Sequence, residues 1–185
     1  MPTIEPQFDK ENKHFYTSKI AQAGALLADT RMFFANWDPS QSIEDNLERF
    51  CMQNLLSKNA RARTEDVLTV FRHRYLQEHD VTNALVVLVK NQISRAALDR
   101  ILYFHSTQLD RLMHDTVTII LWGMRERGQT TVTTDTLQEA IAKWVAEGKT
   151  SRKWSDSTIH RIASGLLAAL RDFGILQGKI NKQIS

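Results

Sequence analysis

Few side chains in this sequence are spaced for catalysis or metal binding. Asp110 and His114 stand four residues apart, about one helical turn, so both could reach a single metal ion. No third ligand lies near them in sequence, and such a pair equally makes an ordinary surface contact. Cys51 is the only cysteine and has no general base close to it, so it reads as a small buried apolar side chain rather than a nucleophile. The six histidines are scattered, and GxGxxG, Walker, HExxH and GxSxG motifs are absent. The sequence therefore predicts no catalytic residue, no metal, no cofactor and no small-molecule substrate.

A different chemistry is concentrated between Arg152 and Leu176, RKWSDSTIHRIASGLLAALRDFGIL. Ser157, His160, Arg161 and Ser164 fall on one side of a helix, all of them short or cationic donors. Such groups suit phosphates and base edges. Ser155 and Thr158 sit at the helix start, where unpaired amides favour an anion. Arg152 and Lys153 come just before, Lys149 shortly upstream, and Lys179 and Lys182 downstream. An ordinary solvated helix face would have the same composition. A second basic group, Arg61, Arg63, Arg72 and Arg74, lies in KNARARTEDVLTVFRHR. There Glu65 and Asp66 offset part of the charge, and a solvated helix end explains the pattern more simply.

The helix that presents the first group is well marked. Ser155 is a natural N-cap, and Asp156 adds a negative charge where the helix dipole favours one. Ile159, Ile162, Ala163, Leu166, Leu167, Leu170 and Phe173 form one apolar face at the 3.6-residue period. Gly174 then supplies a left-handed stop. Upstream, Asp135 with Gln138 predicts a capping box for a helix running to Glu147 and stopped by Gly148. Downstream, Ile175 to Ile184 alternates around Gly178, as a short hairpin would. Helix, turn, helix and hairpin make a winged helix-turn-helix plan.

The remaining elements read as helices. The first 16 residues are polar with two prolines and predict an irregular arm. Ile20, Ala23, Gly24, Leu27, Met32, Phe33 and Phe34 predict a helix ended by Asn36 to Pro39, with Trp37 packing its end. Ser40 or Ser42 caps the next, whose face carries Ile43, Leu47, Phe50 and Cys51. Ala84 to Val89 is rich in β-branched residues, yet Thr82 is a workable cap and no partner strand is near, so it reads as helix. The helical pattern continues through Ile93, Ala97, Leu98, Ile101 and Leu102. Leu109 to about Arg127, ended by Gly128, is apolar nearly all round and predicts a helix enclosed between two layers.

With 185 residues, the chain can form two small units, at 1–107 and 108–185. Its 42% hydrophobic and 24% charged residues are those of a globular protein. The net charge of +3 is uneven: residues 1–128 hold 16 Lys/Arg and 16 Asp/Glu, and residues 129–185 hold 8 and 5. The excess therefore belongs to the half with the donor-rich helix, as a nucleic-acid footprint would. A single cysteine fits a reducing compartment, and the longest apolar runs, Ala84 to Val89 and Ile119 to Met124, are too short to span a bilayer. A cytoplasmic, non-membrane protein is expected.

Three blocks carry a family resemblance. Phe15-Tyr16-Thr17 leads to Gly24-Ala25-Leu26-Leu27 and Trp37; Asn54-Leu55-Leu56 precedes Arg61, Arg63 and Arg74-Tyr75-Leu76; Lys153-Trp154-Ser155-Asp156-Ser157-Thr158 leads to Phe173-Gly174-Ile175-Leu176. Together they resemble BrxA, the small accessory family of BREX bacteriophage-defence systems, once described as putative inner-membrane proteins. The resemblance implies an all-α fold, partly like the NusB antitermination bundle; with the plan read above, the bundle is expected to be followed by a winged-helix-like unit with at most a short hairpin. It also implies DNA binding without known catalysis, within a multi-protein system that restricts phage DNA. The stretch after Leu176 is nine residues, shorter than a full hairpin or tail. The expected partners are double-stranded DNA and other BREX proteins. A protein-interaction adaptor and a NusB-like RNA binder are the alternative readings.

Overall fold

Short polar side chains start many of the helices. In the computed structural model, which describes residues 15–18, 23–179 and 182–185, α1 spans Leu27–Ala35, α2 Ile43–Met52, α3 Arg61–Tyr75, α4 His79–Lys90 and α5 Arg95–Leu109. Ser42 caps α2 by accepting from the Asp45 amide, and Ser94 caps α5 by accepting from that of Ala97. Residues 1–14 of the predicted 16-residue arm, and Ile20, lie outside the described residues, whereas Tyr16 is described and buried.

The first apolar pattern is not one helix. Gly24 and Leu26 both adopt left-handed backbone, with φ of 63° and 52°, and α1 begins only after them. Arg74 holds this kink by donating to the Gly24 carbonyl at 3.0 Å. Beyond it, Phe33 is fully buried at the centre of an aromatic cluster. Its ring lies 4.7 to 5.2 Å from those of Phe34, Trp37, Phe50 and Phe71. Rings at these spacings prefer tilted and edge contacts, and they pin α1, α2 and α3 together. Met32, counted in the apolar pattern, lies on the outer side and is 39% exposed.

Ala84 to Val89 is helical, within α4. Thr82 is not its cap, however. The helix begins at His79, and the Thr82 hydroxyl donates back to the carbonyls of Glu78 and Tyr75. The β-branched run divides as a helix requires, with Leu85 and Val86 buried and Val87 exposed.

The expected enclosed helix departs further from its reading. It consists of α6 (Arg111–Asp115), a π-helical turn (Thr116–Leu121) and α7 (Trp122–Glu126), ending at Arg127 and Gly128. At about 100° per residue, nine residues would put Leu112 and Leu121 on opposite sides of a straight α-helix. Both are buried nonetheless. The π-turn takes up about one extra residue and brings them within roughly 80° of each other. The same adjustment leaves Ile119 and Trp122 on the outside, 50% and 59% exposed, so the helix is not covered all round.

The C-terminal elements are β1 (Thr131–Val132), α8 (Thr134–Ala146), α9 (Asp156–Asp172), β2 (Leu176–Gln177) and β3 (Lys182–Ile184). The expected hairpin forms from β2 and β3. A third strand, β1, pairs with β3 and gives an antiparallel sheet of order β1-β3-β2. Burial of Val132 and Leu176 against the helices holds this small sheet in place. A single connected core runs from Tyr16 to Leu176. Tyr103 of α5 stacks on Phe173 at the end of α9, 5.6 Å between ring centres.

Leu121→Ala should cost about 2–5 kcal/mol in urea denaturation, because the side chain is enclosed. Ile119→Ala should move stability by only about 0.5 kcal/mol. Equal costs at the two positions would contradict the π-turn register.

Candidate nucleic-acid interface

The two helices α8 and α9 pack on each other and are joined by residues 147–155, a longer connection than the tight turn of a minimal helix-turn-helix. Gly148, with φ of 76°, stops α8 as predicted. The start of α8 differs from its reading. Thr133, not Asp135, is the cap, because its extended backbone lets the hydroxyl accept from the Thr136 amide at 3.1 Å. Gln138 is thereby released from a capping box, and its side chain meets His160 Nδ1 of α9 at 3.0 Å.

At α9, Ser155 is the cap and Gly174 the left-handed stop, with φ of 78°. Ser155 Oγ accepts from the Thr158 amide and lies 3.0 Å from the hydroxyls of both Ser157 and Thr158. Thr158 is half-buried, so Ser155 and Thr158 chiefly build the helix start. Trp154, buried just before them, seats the connection on the core.

The predicted donor face exists. Ser157, His160, Arg161 and Ser164 are all exposed, while Ile159, Ile162, Ala163, Leu166, Leu167 and Leu170 are buried on the other side. Arg152 and Lys153 are exposed beside the cap, and with Arg161 they enter no ion pair among the described residues. The exposed Asp156 is the one acid within this group. Lys179 lies in the β2–β3 connection and Lys182 opens β3, with Lys182 Nζ donating to the Lys179 carbonyl at 3.4 Å.

Lys149 has a different place. Its ammonium lies 5.9 Å from the ring centre of Tyr16 and 5.2 Å from that of Trp144, and 3.6 Å from the Glu147 carboxylate. It is the lid on a junction that sequence reasoning missed. The Tyr16 amide donates to the Lys149 carbonyl at 2.8 Å, and Tyr16 pairs with Thr150 in a parallel bridge. Its ring stacks on Trp144 at 5.2 Å, and its hydroxyl donates to Asp115 Oδ2 at 2.7 Å. One buried side chain thus ties the start of the described chain to α6, α8 and the connection entering α9. Burial, then Asp115, pushes the Tyr16 phenol well above its usual pKa. Burial also pushes the Asp115 carboxyl up, but hydrogen bonds with His114 and Tyr16 and the nearby Arg111 outweigh it, holding the group below its ordinary value.

The second basic group is not a coherent surface. Arg61 pairs with Glu65 and Arg63 with Asp66 along α3, and Arg72 reaches Glu44 of α2. Arg74 is buried against Gly24, so it is a core brace and not a phosphate contact. Asp110 is buried too, capping α6 through the Met113 amide, whereas His114 turns to Asp115. The two do not form a pair, and no group of three or more His, Cys, Asp or Glu side chains is placed for a metal among the described residues. Cys51 is half-buried beside the core, and burial raises its thiol pKa, which disfavours the nucleophilic thiolate.

Tyr16→Phe should cost about 1–3 kcal/mol, because it leaves the buried Asp115 carboxylate short of a donor. Asp115 titrates below its unfolded value, so its contribution to stability is present above roughly pH 4 and is lost as the pH falls through the folded-state value. The stability gap between the parent and Asp115→Asn should therefore narrow on acidification from pH 7 to pH 3 in urea titrations. A gap that does not change with pH would contradict this junction.

The BrxA family matches residues 14–185, and the chain belongs to it. No curated protein matches the sequence. BrxA is an accessory family of BREX systems and not a known enzyme family, so the chain has a BREX-associated role. Among the described residues no helix is long and apolar enough to cross a membrane.

Proposed function

We propose that this BrxA-family protein is a non-enzymatic, cytoplasmic DNA-binding component of its BREX system, which engages duplex DNA through the first half of α9. The observation that carries this reading is the exposed face of Ser157, His160, Arg161 and Ser164, flanked by the exposed Arg152 and Lys153. The topology supports it. A helix followed by β1, α8, α9, β2 and β3, with β3 between β1 and β2, is the order of a winged helix-turn-helix. In that arrangement α9 is the second, recognition helix, and the β2–β3 connection with Lys179 and Lys182 is the wing. On this reading residues 108–185 form the DNA-binding unit and residues 1–107 the bundle that supports it.

The roles divide by chemistry. Arg152, Lys153 and Arg161 would neutralise phosphates, which fixes position but reads no sequence. Ser157, His160 and Ser164 would meet base edges, with His160 Nδ1 already committed to Gln138 and Nε2 left as the ring atom for a base. The helix N-terminus favours a phosphate there, and Asp156 limits how many can approach.

Replacing Arg152, Lys153 and Arg161 together by Ala should weaken binding to unrelated duplexes alike. The slope of log affinity against log salt should become shallower by about 2 to 3. Changes at Ser157 or His160 should instead alter preference between sequences. Unchanged affinity and salt slope in a folded triple variant would exclude α9 as the DNA site, and stronger competition by duplex RNA would assign the surface to RNA.

A further inference from the structure

The outer side of the helix around the π-turn has a surface unlike that of α9. Ile119 and Trp122, three residues apart and therefore neighbours on the helix, are both at least half exposed. No hydrogen bond involves the Trp122 indole among the described residues. The exposed Arg125 lies one turn further on, and its guanidinium is only 3.5 Å from the Ser185 carbonyl. Gly123 lacks a Cβ, and Arg127 uses that space: its guanidinium sits 3.4 Å from where the Cβ would be, beside the turn that carries Trp122. Arg111, one turn before the π-helix, is half exposed but pairs with Asp115 at 3.6 Å, which leaves Arg125 and Arg127 as the cations of this face. Glu126 is the one exposed acid on α6, the π-turn and α7.

We propose that this face docks a partner protein of the same BREX system, through a segment that presents apolar side chains to Ile119 and Trp122 and carboxylates to Arg125 and Arg127. The proposal stands apart from DNA binding by α9. An apolar centre within a charged rim is the anatomy of a protein interface, and Trp and Arg are the residues that most often carry its energy. Duplex DNA would set phosphates against Ile119 and Trp122 and leave both without apolar cover. A second copy of this chain is disfavoured by symmetry, because a two-fold contact on this face would bring like arginines together. Charge complementarity therefore selects an acidic protein surface. A π-turn in the middle of a helix is a common mark of a functional site, and here it is what turns Ile119 and Trp122 outward.

The test uses the full-length chain and, as probes, the purified proteins of its own BREX system, measured one at a time by biolayer interferometry. At least one should bind, and Trp122→Ala should weaken that binding by roughly 30-fold or more. Arg125→Ala with Arg127→Ala should slow association and reduce its salt dependence. Both variants should bind duplex DNA as the parent does, so loss of the DNA reading and loss of this one are distinguishable. Binding to none of the proteins, or equal binding by Trp122→Ala, would overturn the proposal. So would a parent dimer in sedimentation that Trp122→Ala abolishes, or saturable quenching of Trp122 by a single-stranded oligonucleotide.

Discussion

The buried contact between the Tyr16 hydroxyl and the Asp115 carboxylate constrains more of this structure than any other interaction. A carboxylate so little exposed must have donors, and Tyr16 and His114 supply them from two separate parts of the chain, with the Arg111 charge 3.6 Å away. Once the hydroxyl is fixed, the Tyr16 ring is fixed on Trp144, and its backbone on Lys149 and Thr150. The connection entering α9 is thereby held against α6, although the two are distant in sequence. Lys149 closes the junction with its stem and ammonium over two aromatic faces, an arrangement that favours a cation. A residue of the right charge for phosphate thus serves to position those that follow it.

Local signals were legible wherever one residue type answers one geometric need. Ser42 and Ser155 cap helices because a hydroxyl at that position satisfies an amide that has no other partner, and Gly148 and Gly174 stop them because they accept positive φ. The donor face of α9 followed from the same periodicity that defined its apolar face. What sequence could not convey was competition between neighbours. Thr133 and Asp135 are both adequate caps, and only the extended strand β1 running into the helix decides for Thr133. Leu112 and Leu121 are compatible with a straight helix until both must face one core, and the π-turn is the result. Arg74 had the look of a surface cation until the kink at Gly24 offered it a carbonyl.

The two exposed faces differ in the chemistry of what they leave uncovered. On α9 the exposed groups are hydroxyls, an imidazole and cations, all readily solvated, and no apolar area awaits a partner. On the helix around the π-turn the exposed groups include an indole and an aliphatic side chain, whose removal from water is favourable by about 25 cal/mol per Å². Exposed single apolar residues are common on protein surfaces. A tryptophan beside an isoleucine, with Arg125 and Arg127 close by, is a less ordinary combination and the more informative one.

Magnitudes connect the two faces. Three free cations at the start of α9 would release about three counterions, whereas proteins that hold duplex DNA tightly through its backbone make roughly 6–10 phosphate contacts. The two wing lysines would raise the number only to about five, with one of them already turned to a carbonyl. With a net charge of +3 the rest of the molecule adds little long-range attraction. On electrostatics alone, then, the proposed DNA site would hold duplex DNA only modestly, and useful affinity would have to come from base-edge contacts or from being held near DNA by something else. A protein partner on the Ile119 and Trp122 face would do the latter, because joining two modest binders makes the second engagement intramolecular and multiplies apparent affinity by about 10²–10⁴. An accessory protein with few cations to offer phosphates and an exposed tryptophan would suit such a shared grip on DNA.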